Sequence, residues 1–235
     1  MSRATRFPVI AVVGLAREAR IAAGPGVHAV AGGGDARRLA GTLERALASG
    51  ARAVISFGIA GGLVEDLNAG AWLVGHAIVA TGRRWPCDAA WTALLLERLP
   101  GAEAALLAGA DAPIAEPVAK RALHLATGAA AVDTESHVAA DIAARHGLPF
   151  AAFRVVADGA RQALPPAAAV AIAPDGRIRH RAVLGSLRRA PGQLPTLLRT
   201  AADARRAFGA LSRGRRLLGP GLAYPDLGEL LLDVS

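Results

Sequence analysis

The stretches AVDTESHVAADIAARHG, residues 131–147, and FRVVADGARQ, residues 153–162, decide the fold of this 235-residue chain. The first predicts a helix, because Asp133 is a good N-cap, helix formers follow it and Gly147 is a typical stop. The second continues an apolar run, residues 150–156, that is typical of a buried strand. A helix followed by a buried strand indicates a repeating unit of a largely parallel α/β sheet.

The same alternation runs through the rest of the chain. Strands are predicted over residues 8–14, 26–31, 53–57, 71–80 and 104–107, and helices over residues 15–23, 35–48 and 89–99. Glycine marks three of the predicted strand ends, at Gly14, Gly32 and Gly58, where it lets the backbone approach a ligand closely. The predicted fold class is therefore α/β, with a mixed, mostly parallel sheet. We expect one domain over residues 1–235, with an arginine-rich helical region from about residue 177.

Three acidic residues lie where this helix and strand border the sheet. In open α/β sheets, ligands bind outside the carboxyl ends of the strands, so Asp158 is a candidate for chemistry. Asp158 could instead be a turn residue before a glycine. Asp133 and Glu135 could be helix-capping residues, each worth about 0.5–2 kcal/mol.

Neither a metal nor a cofactor is predicted. Asp133, Glu135 and His137 alternate and could share one side of a strand as metal ligands, but the predicted helix scatters them around its axis. The chain also lacks the motifs GxxxxGK[ST], HExxH and GxSxG.

Composition excludes several classes of protein. The one cysteine, Cys87, excludes a disulfide framework and a CxxC-type zinc site and fits a reducing compartment, so we expect a cytoplasmic protein. No run approaches the roughly 18–20 apolar residues of a spanning helix, although the mean hydropathy is +0.35. The net charge is +8, but only 4% of residues are aromatic and no RRM, KH or zinc-finger pattern occurs, so no nucleic-acid partner is predicted.

Arginines concentrate near the end of the chain. They are Arg177, Arg179, Arg181, Arg188, Arg189, Arg199, Arg205, Arg206, Arg213, Arg215 and Arg216. A solvated surface is the commonest explanation, and a basic face against anionic lipid is the alternative. Between these arginines lies a predicted apolar helix stripe that either packs on the sheet or meets lipid headgroups: Leu194, Leu197, Leu198, Ala201, Phe208 and Leu211.

Five segments, taken in order, carry a resemblance to a known family. They are VVGLAREA (12–19), GGGDA (32–36), SFGIAGGL (56–63) with the later NAGAWLV (68–74), AVDTESHVAA (131–140) and FRVVADGA (153–160). Over about residues 8–165 the chain resembles the nucleoside phosphorylase superfamily, which includes purine nucleoside phosphorylases and methylthioadenosine/S-adenosylhomocysteine nucleosidases. The resemblance implies a three-layer α/β/α fold. Within the superfamily, the chain looks most like the hopanoid-associated phosphorylases of bacteria.

The resemblance also implies roles for individual residues. Glu135 would hydrogen-bond the ribose 2′- and 3′-hydroxyls, and Asp158 would protonate or hydrogen-bond purine N7. Such roles fit the chemistry, because breaking an N-glycosidic bond builds positive charge on the ribose and negative charge on the purine. The remaining substrate-binding residues would be Gly58, Ala60 and Gly61 at the pocket floor, with Thr134 and Ile114.

The nucleophile is where the chain departs from the family. Phosphorylases hold phosphate with an arginine and a serine where this chain has Ser56 and Ile59. Nucleosidases activate water with a glutamate after the first strand, where strict register gives Ala19 and a shift of one residue gives Glu18. Phosphate could instead be held at the start of the first helix by Gly14, Arg17, Arg20 and Gly34. The serine that often precedes the purine acid is Ala157 here, so Asp158 must be oriented by another group.

The function implied by the resemblance is release of adenine from an adenosyl substrate, by phosphorolysis or hydrolysis. The substrate would be adenosylhopane, an adenosyl-lipid of hopanoid biosynthesis, with inorganic phosphate as a co-substrate if the reaction is phosphorolysis. A homo-oligomer is expected. Peripheral contact at the inner membrane is the alternative if the arginine-rich region meets lipid. The alternatives are a methylthioadenosine/S-adenosylhomocysteine nucleosidase, a general purine nucleoside phosphorylase, and a non-catalytic nucleoside- or lipid-binding protein.

Overall fold

The computed structural model describes residues 7–169 and 179–225 of the protein, and eight strands in these ranges form one sheet. The strands are β1 (Val9–Val13), β2 (Val27–Ala31), β3 (Ala53–Gly62), β4 (Trp72–Ala80), β5 (Arg83–Pro86), β6 (Glu103–Gly109), β7 (Ala131–Asp133) and β8 (Phe150–Asp158). The helices are α1 (Ala16–Ala22), α2 (Ala36–Ala48), α3 (Ala89–Arg98), α4 (Pro117–Thr127), α5 (Ser136–Arg145), α6 (Pro166–Ala169), α7 (His180–Arg189) and α8 (Leu194–Leu218). Short 3-10 turns lie at Pro191–Gln193 and Pro220–Ala223.

The sheet closes on itself. Strand β8 pairs with both β3 and β4, β4 pairs with β6, β6 with β7, and β7 returns to β3. These five strands form a ring, from which β1 and β2 extend on one side and β5 on the other. Among the described strands, five of the eight pairings are parallel, so the predicted mixed, mostly parallel sheet is confirmed.

Helices cover both faces of the sheet. On one face, α2 and α5 pack Leu39, Leu43 and Ile142 into a core with Ile10 and Val12 of β1. On the other face, α1, α3 and α8 contribute a second core that contains Ala22, Trp91, Leu95, Phe208 and Leu211. Because both faces are covered, the inner strands β3 and β8 are mostly apolar, and the few polar side chains within them, such as Ser56 and Arg154, are buried. The three-layer α/β/α fold is confirmed.

Strand β3 corrects the prediction of a strand over residues 53–57 that ends in a glycine turn. It runs on to Gly62, and Gly58 lies within it, paired with Arg154 of β8. A Cβ atom at Gly58 would lie 2.4 Å from Oε1 of Glu18. Glycine is required at this position because a carboxylate approaches the strand closely and because the backbone φ is +156° there, not because the chain turns.

The boundary of α5 also differs from the prediction. Asp133 is the last residue of β7, and the helix begins at Ser136. The Asp133 Oδ1 atom still accepts hydrogen bonds from the backbone N–H groups of Glu135 (2.9 Å) and Ser136 (2.6 Å), so the expected capping contact exists. Three of the observed elements have no counterpart among those predicted from the sequence: β5, α4 and β7.

The predicted apolar stripe of α8 divides into two parts. Phe208 and Leu211 are buried in the core against the sheet, as the packing alternative predicted, whereas Leu194 and Leu198 are 46% and 62% exposed. Among the arginines near the end of the chain, Arg177 lies outside the described residues.

Residues 7–169 and 179–225 contain no helix that is both long enough and apolar enough to cross a bilayer.

Candidate active site

A pocket of about 280 Å³ opens at the carboxyl ends of β1, β3, β7 and β8. In both open and closed α/β sheets, ligands bind at the carboxyl ends of the strands. It brings together nine of the residues that the sequence singled out: Gly14, Glu18, Gly34, Ala60, Gly61, Ile114, Thr134, Glu135 and Asp158. The wall is completed by Leu15, Gly33, Ile59, Ala112, Pro113, Val132, Asp133, Ala157 and Leu164.

Glu18 is held at the bottom of the pocket by three backbone donors. Its Oε2 atom accepts hydrogen bonds from the N–H groups of Gly14 (2.8 Å) and Leu15 (2.6 Å). Its Oε1 atom accepts a hydrogen bond of 2.7 Å from the N–H group of Ile59 in β3. Glutamate at the third position of a helix commonly reaches back to the N–H group of the N-cap, which is Leu15 here. For this reason the residue at the bottom of the pocket is Glu18 and not Ala19.

The surroundings of Glu18 weaken its acidity. It is 1% exposed. Burial and the nearby Glu135 raise its pKa to about 7, although the Arg154 cation and the N–H groups of Ile59 and Leu15 act in the opposite direction. A carboxyl group with a pKa near neutrality is suited to proton transfer at physiological pH.

Glu135 lies across Gly14 from Glu18. The hydroxyl of Thr134 donates a hydrogen bond of 2.5 Å to its Oε1 atom, and Nη2 of Arg154 is 3.6 Å from Oε2. A Cβ atom at Gly14 would lie 2.8 Å from Oε1 of Glu135, so only glycine fits between the two glutamates. Burial raises the pKa of Glu135, and the charge of Arg154 partly opposes this rise.

Arg154 was missed by the sequence analysis. It lies in the middle of β8, has no exposed surface, and donates from Nη2 to Asp133 Oδ1 (2.9 Å) and to the hydroxyls of Ser56 and Ser136. Its Nη1 atom donates to the carbonyl of Ile59 (3.3 Å). A single charged residue in an otherwise apolar strand was the signal that could have found it, because buried charges need partners.

Asp158 lies at the end of β8, beside Gly61 in the pocket wall. The ammonium of Lys120, on α4, donates a short hydrogen bond to its Oδ2 atom. Burial raises the pKa of Asp158, while the adjacent Lys120 charge lowers it. Lys120 had no role predicted from the sequence, because 38 residues separate it from Asp158 in the chain.

The structure does not bring every predicted site residue to the pocket. Arg17 and Arg20, assigned to phosphate, are exposed on α1, and Arg17 lies over the ring of Phe208 at 4.2 Å. Successive helix positions point about 100° apart, so Glu18 faces the pocket while Arg17 faces α8. Gly58 does not line the pocket and instead packs against Glu18. Ser56 is buried and bonded to Arg154.

Within the described ranges, no group of three or more His, Cys, Asp or Glu side chains is arranged to hold a metal ion. Asp133 and Glu135 are instead neighbours of Arg154.

The family of the chain follows from its sequence. Residues 21–185 match the family model of the phosphorylase superfamily, and the chain belongs to this superfamily. The prediction of an enzyme of the nucleoside phosphorylase and nucleosidase class is thereby confirmed. The matched range contains Glu135 and Asp158 and begins three residues after Glu18. No curated protein matches the chain in sequence.

Solved structures share the fold. The S-adenosylhomocysteine nucleosidase of Streptococcus pyogenes, in complex with 5-methylthiotubericidin, has 15% identity and a TM-score of 0.63, over 91% of this chain and 98% of that one. The 5′-methylthioadenosine/S-adenosylhomocysteine nucleosidase of Helicobacter pylori, with butyl-thio-DADMe-Immucillin-A, has 14% identity and a TM-score of 0.61, over 89% and 98%. Futalosine hydrolase of Helicobacter pylori has 17% identity and a TM-score of 0.57, over 65% and 88%.

Proposed function

We propose that the protein hydrolyses the N-glycosidic bond of a purine nucleoside, with Glu18 as the base that activates water, Glu135 on the ribose and Asp158 as the acid for the purine. The observation that carries the proposal is the position of Glu18, a buried carboxyl group with a pKa of about 7 in the same pocket as Glu135 and Asp158. Each of the three carboxyl groups has its own environment. Separate environments let similar groups take different roles in one reaction.

The reaction needs two proton transfers. The C1′–N9 bond breaks and its electron pair moves to the purine, which takes a proton at N7 from Asp158. Water attacks C1′ and gives a proton to Glu18. The sugar therefore gains a hydroxyl, and the released purine carries the proton from Asp158. Glu135 binds the ribose hydroxyls and stabilises the positive charge that develops on the ring. Solvent then returns Asp158 to its acid form and Glu18 to its carboxylate.

Water fits this pocket better than phosphate as the nucleophile. The N–H groups of Gly14, Leu15 and Ile59 form a concave donor set of the kind that binds anions, but the Glu18 carboxylate already fills it. A phosphate dianion placed there would face the negative charge of Glu18. The arginines predicted to offset that charge, Arg17 and Arg20, lie outside the pocket wall.

Adenine is the base we propose. The nucleosidases that share the fold are named for methylthioadenosine and S-adenosylhomocysteine, and futalosine hydrolase is named for futalosine, so the fold accommodates different substrates. The apolar wall beside the acids, formed by Ala112, Pro113, Ile114 and Leu164, suits an apolar group on the substrate. An adenosyl-lipid such as adenosylhopane, and a homo-oligomeric enzyme, stay predictions from the resemblance.

We also propose that α7 and α8 contact an anionic membrane surface. Leu184, Leu194 and Leu198 are 51%, 46% and 62% exposed, and exposed arginines such as Arg188 and Arg199 lie on the same two helices. Such a combination favours binding to acidic lipid headgroups. Co-sedimentation with phosphatidylglycerol vesicles at low salt tests the proposal, and equal recovery of protein with neutral vesicles would contradict it.

The test of the nucleophile is adenine release in phosphate-free buffer that contains H₂¹⁸O. The proposal predicts release without phosphate, ¹⁸O at C1 of the free sugar, and no sugar phosphate when phosphate is added. Release that requires phosphate and yields a sugar 1-phosphate would establish phosphorolysis instead. Glu18→Gln and Asp158→Asn should each lower release, whereas Glu97→Gln, at an exposed position of α3, should not.

A further inference from the structure

The ammonium of Lys120 has three acceptors around it. It donates to Oδ2 of Asp158, to the carbonyl of Gly159 at 2.9 Å and to the carbonyl of Gln162 at 3.0 Å. A lysine ammonium has three N–H donors, so each donor has a partner in this arrangement. The two carbonyls belong to the loop that follows β8, which means that Lys120 fixes both the acid and the backbone next to it.

Lys120 has no exposed surface and does not belong to the pocket wall. Its ammonium contacts one oxygen of Asp158, Oδ2. No donor among the described residues forms a hydrogen bond to Oδ1 of Asp158. Asp158 therefore keeps one oxygen for the ligand while the other is immobilised.

We infer that Lys120 is the positioning residue for Asp158, which it orients through Oδ2 so that Oδ1 meets the departing base. This inference rests on the proposed function. It supplies the orienting group that Ala157 lacks, since an alanine has no hydroxyl to donate to the neighbouring carboxylate. Lys120 reaches Asp158 from a different element, α4, and acts without touching the substrate.

The charge of Lys120 gives it a second effect on the same acid. An ammonium in contact stabilises the carboxylate, so it lowers the pKa of Asp158, which burial raises. Asp203 on α8 also faces Asp158 and acts against Lys120, and Arg206 pairs with Asp203 at 2.6 Å. In the loop after β8, Arg161 is exposed and pairs with Glu65 at 3.1 Å. Lys120 is thus the cation in direct contact with the acid.

Removing Lys120 should move the pH profile of activity to higher pH. An acid catalyst must be protonated, so activity falls as the pH rises through the pKa of Asp158. Without Lys120 that pKa is higher, and the falling part of the pH profile moves to higher pH. An adjacent opposite charge changes a carboxyl pKa by about 1–3 units, which sets the expected displacement. A lysine with a merely structural role would lower activity by the same factor at every pH.

The experiment compares Lys120→Met, Lys120→Arg and Arg121→Met in the full-length protein. The Asp158 pKa is measured by ¹³C NMR titration of the carboxyl group, assigned with Asp158→Asn, and kcat/KM for adenine release is measured against pH. Lys120→Met should raise the NMR pKa and displace the falling limb by about 1–3 units. Lys120→Arg, which keeps the charge, should keep both near the wild-type values. Arg121→Met removes an exposed cation from the same helix and should change neither.

Some outcomes overturn the inference. The inference is contradicted if Lys120→Met leaves the NMR pKa of Asp158 unchanged and kcat/KM falls at the same pH as in the wild type. If Lys120→Met does not fold, Lys120→Gln answers the same question, because glutamine can still donate to the carbonyls but carries no charge. The NMR titration needs no substrate. A wild-type protein that releases no base would therefore refute the proposed function while the titration still decides whether Lys120 controls Asp158.

Discussion

The backbone N–H group of Ile59 donates a hydrogen bond of 2.7 Å to Oε1 of Glu18, joining strand β3 to helix α1 at the bottom of the pocket. The two residues are 41 positions apart in the chain. By resemblance, phosphorylases have a phosphate-binding side chain at the position that Ile59 occupies in this chain. Here the position contributes its backbone to a carboxylate instead, and this difference supports our proposal that water is the nucleophile.

The pH dependence of catalysis should reflect Glu18. A base must be ionised, so kcat/KM should rise as the pH increases through about 7, the pKa to which burial raises this group. Glu18→Gln should lower kcat by about 10²–10⁴-fold, the usual value of proton transfer by a positioned group. Steady-state assays from pH 5 to 9 measure both effects. A Glu18→Gln protein with the wild-type profile would remove Glu18 from the role of base.

Glu18 should also make stability depend on pH. Its pKa is about 7 in the folded protein, compared with 4.5 for an unperturbed glutamate, so the folded state binds more protons between these values. The stabilisation is fully present below pH 4.5 and is lost as the pH rises through about 7. It corresponds to about 3 kcal/mol in the free energy of unfolding. Urea unfolding of wild type and Glu18→Gln at pH 5 and 8 measures it: wild type should lose stability relative to the variant, and a constant difference would contradict the assignment.

Gly58→Ala should disturb catalysis through Glu18. The new Cβ atom would lie 2.4 Å from Oε1 of Glu18 and 2.8 Å from Nη1 of Arg154, so both side chains must move. A displacement of about 1 Å at a reacting group can cost about 100-fold in rate. Gly192→Ala is the control, because a Cβ atom there meets nothing within 4 Å. Equal activity of the two variants would show that the position of Glu18 tolerates displacement.

Arg154→Met should affect both stability and the pH profile. It removes a buried cation from contact with Asp133 and Glu135, and loss of one partner in a buried ion pair costs about 3–5 kcal/mol. Because Arg154 lowers the pKa values of Glu18 and Glu135, its removal should move the rising limb of activity to higher pH.

Ser56→Ala is the milder comparison for Arg154→Met. It removes one hydroxyl that accepts from Arg154 and should cost about 1 kcal/mol in the free energy of unfolding, with no movement of the limb. Thermal melts and pH profiles of the two variants separate the loss of the charge from the loss of a hydrogen bond.

The sequence was most informative where local pattern and position in the sheet agree. Asp158 directly follows an apolar run and Glu135 precedes a helix, and both lie in the pocket because strand ends of a parallel sheet meet at one edge. Glu18 matched the water-activating glutamate of the nucleosidases only when the alignment was shifted by one residue. The structure removes that ambiguity physically, since Glu18 is at the third position of α1 and reaches back to the N–H group of Leu15.

Long-range partners were beyond the sequence. Lys120 is buried only because α4 docks beside β8, and nothing in the local pattern marks it. Arg154 is marked by its charge within an apolar strand, but its partners lie in other elements of the sheet. The same reason explains the error at β3. Its glycines suggested a turn, whereas they allow side chains from α1 and β8 to approach an extended strand.

Lys120 gives the protein a built-in reporter of unfolding. The sequence contains 27 lysines and arginines, and Lys120 is the only lysine among them. Its ammonium has no exposed surface in the folded protein. A lysine-specific endoprotease should therefore cut the chain once, after Lys120, and only in molecules in which α4 has detached from the site. The fraction cleaved in a short pulse would then count the open molecules directly, without a dye, a tag or a substrate.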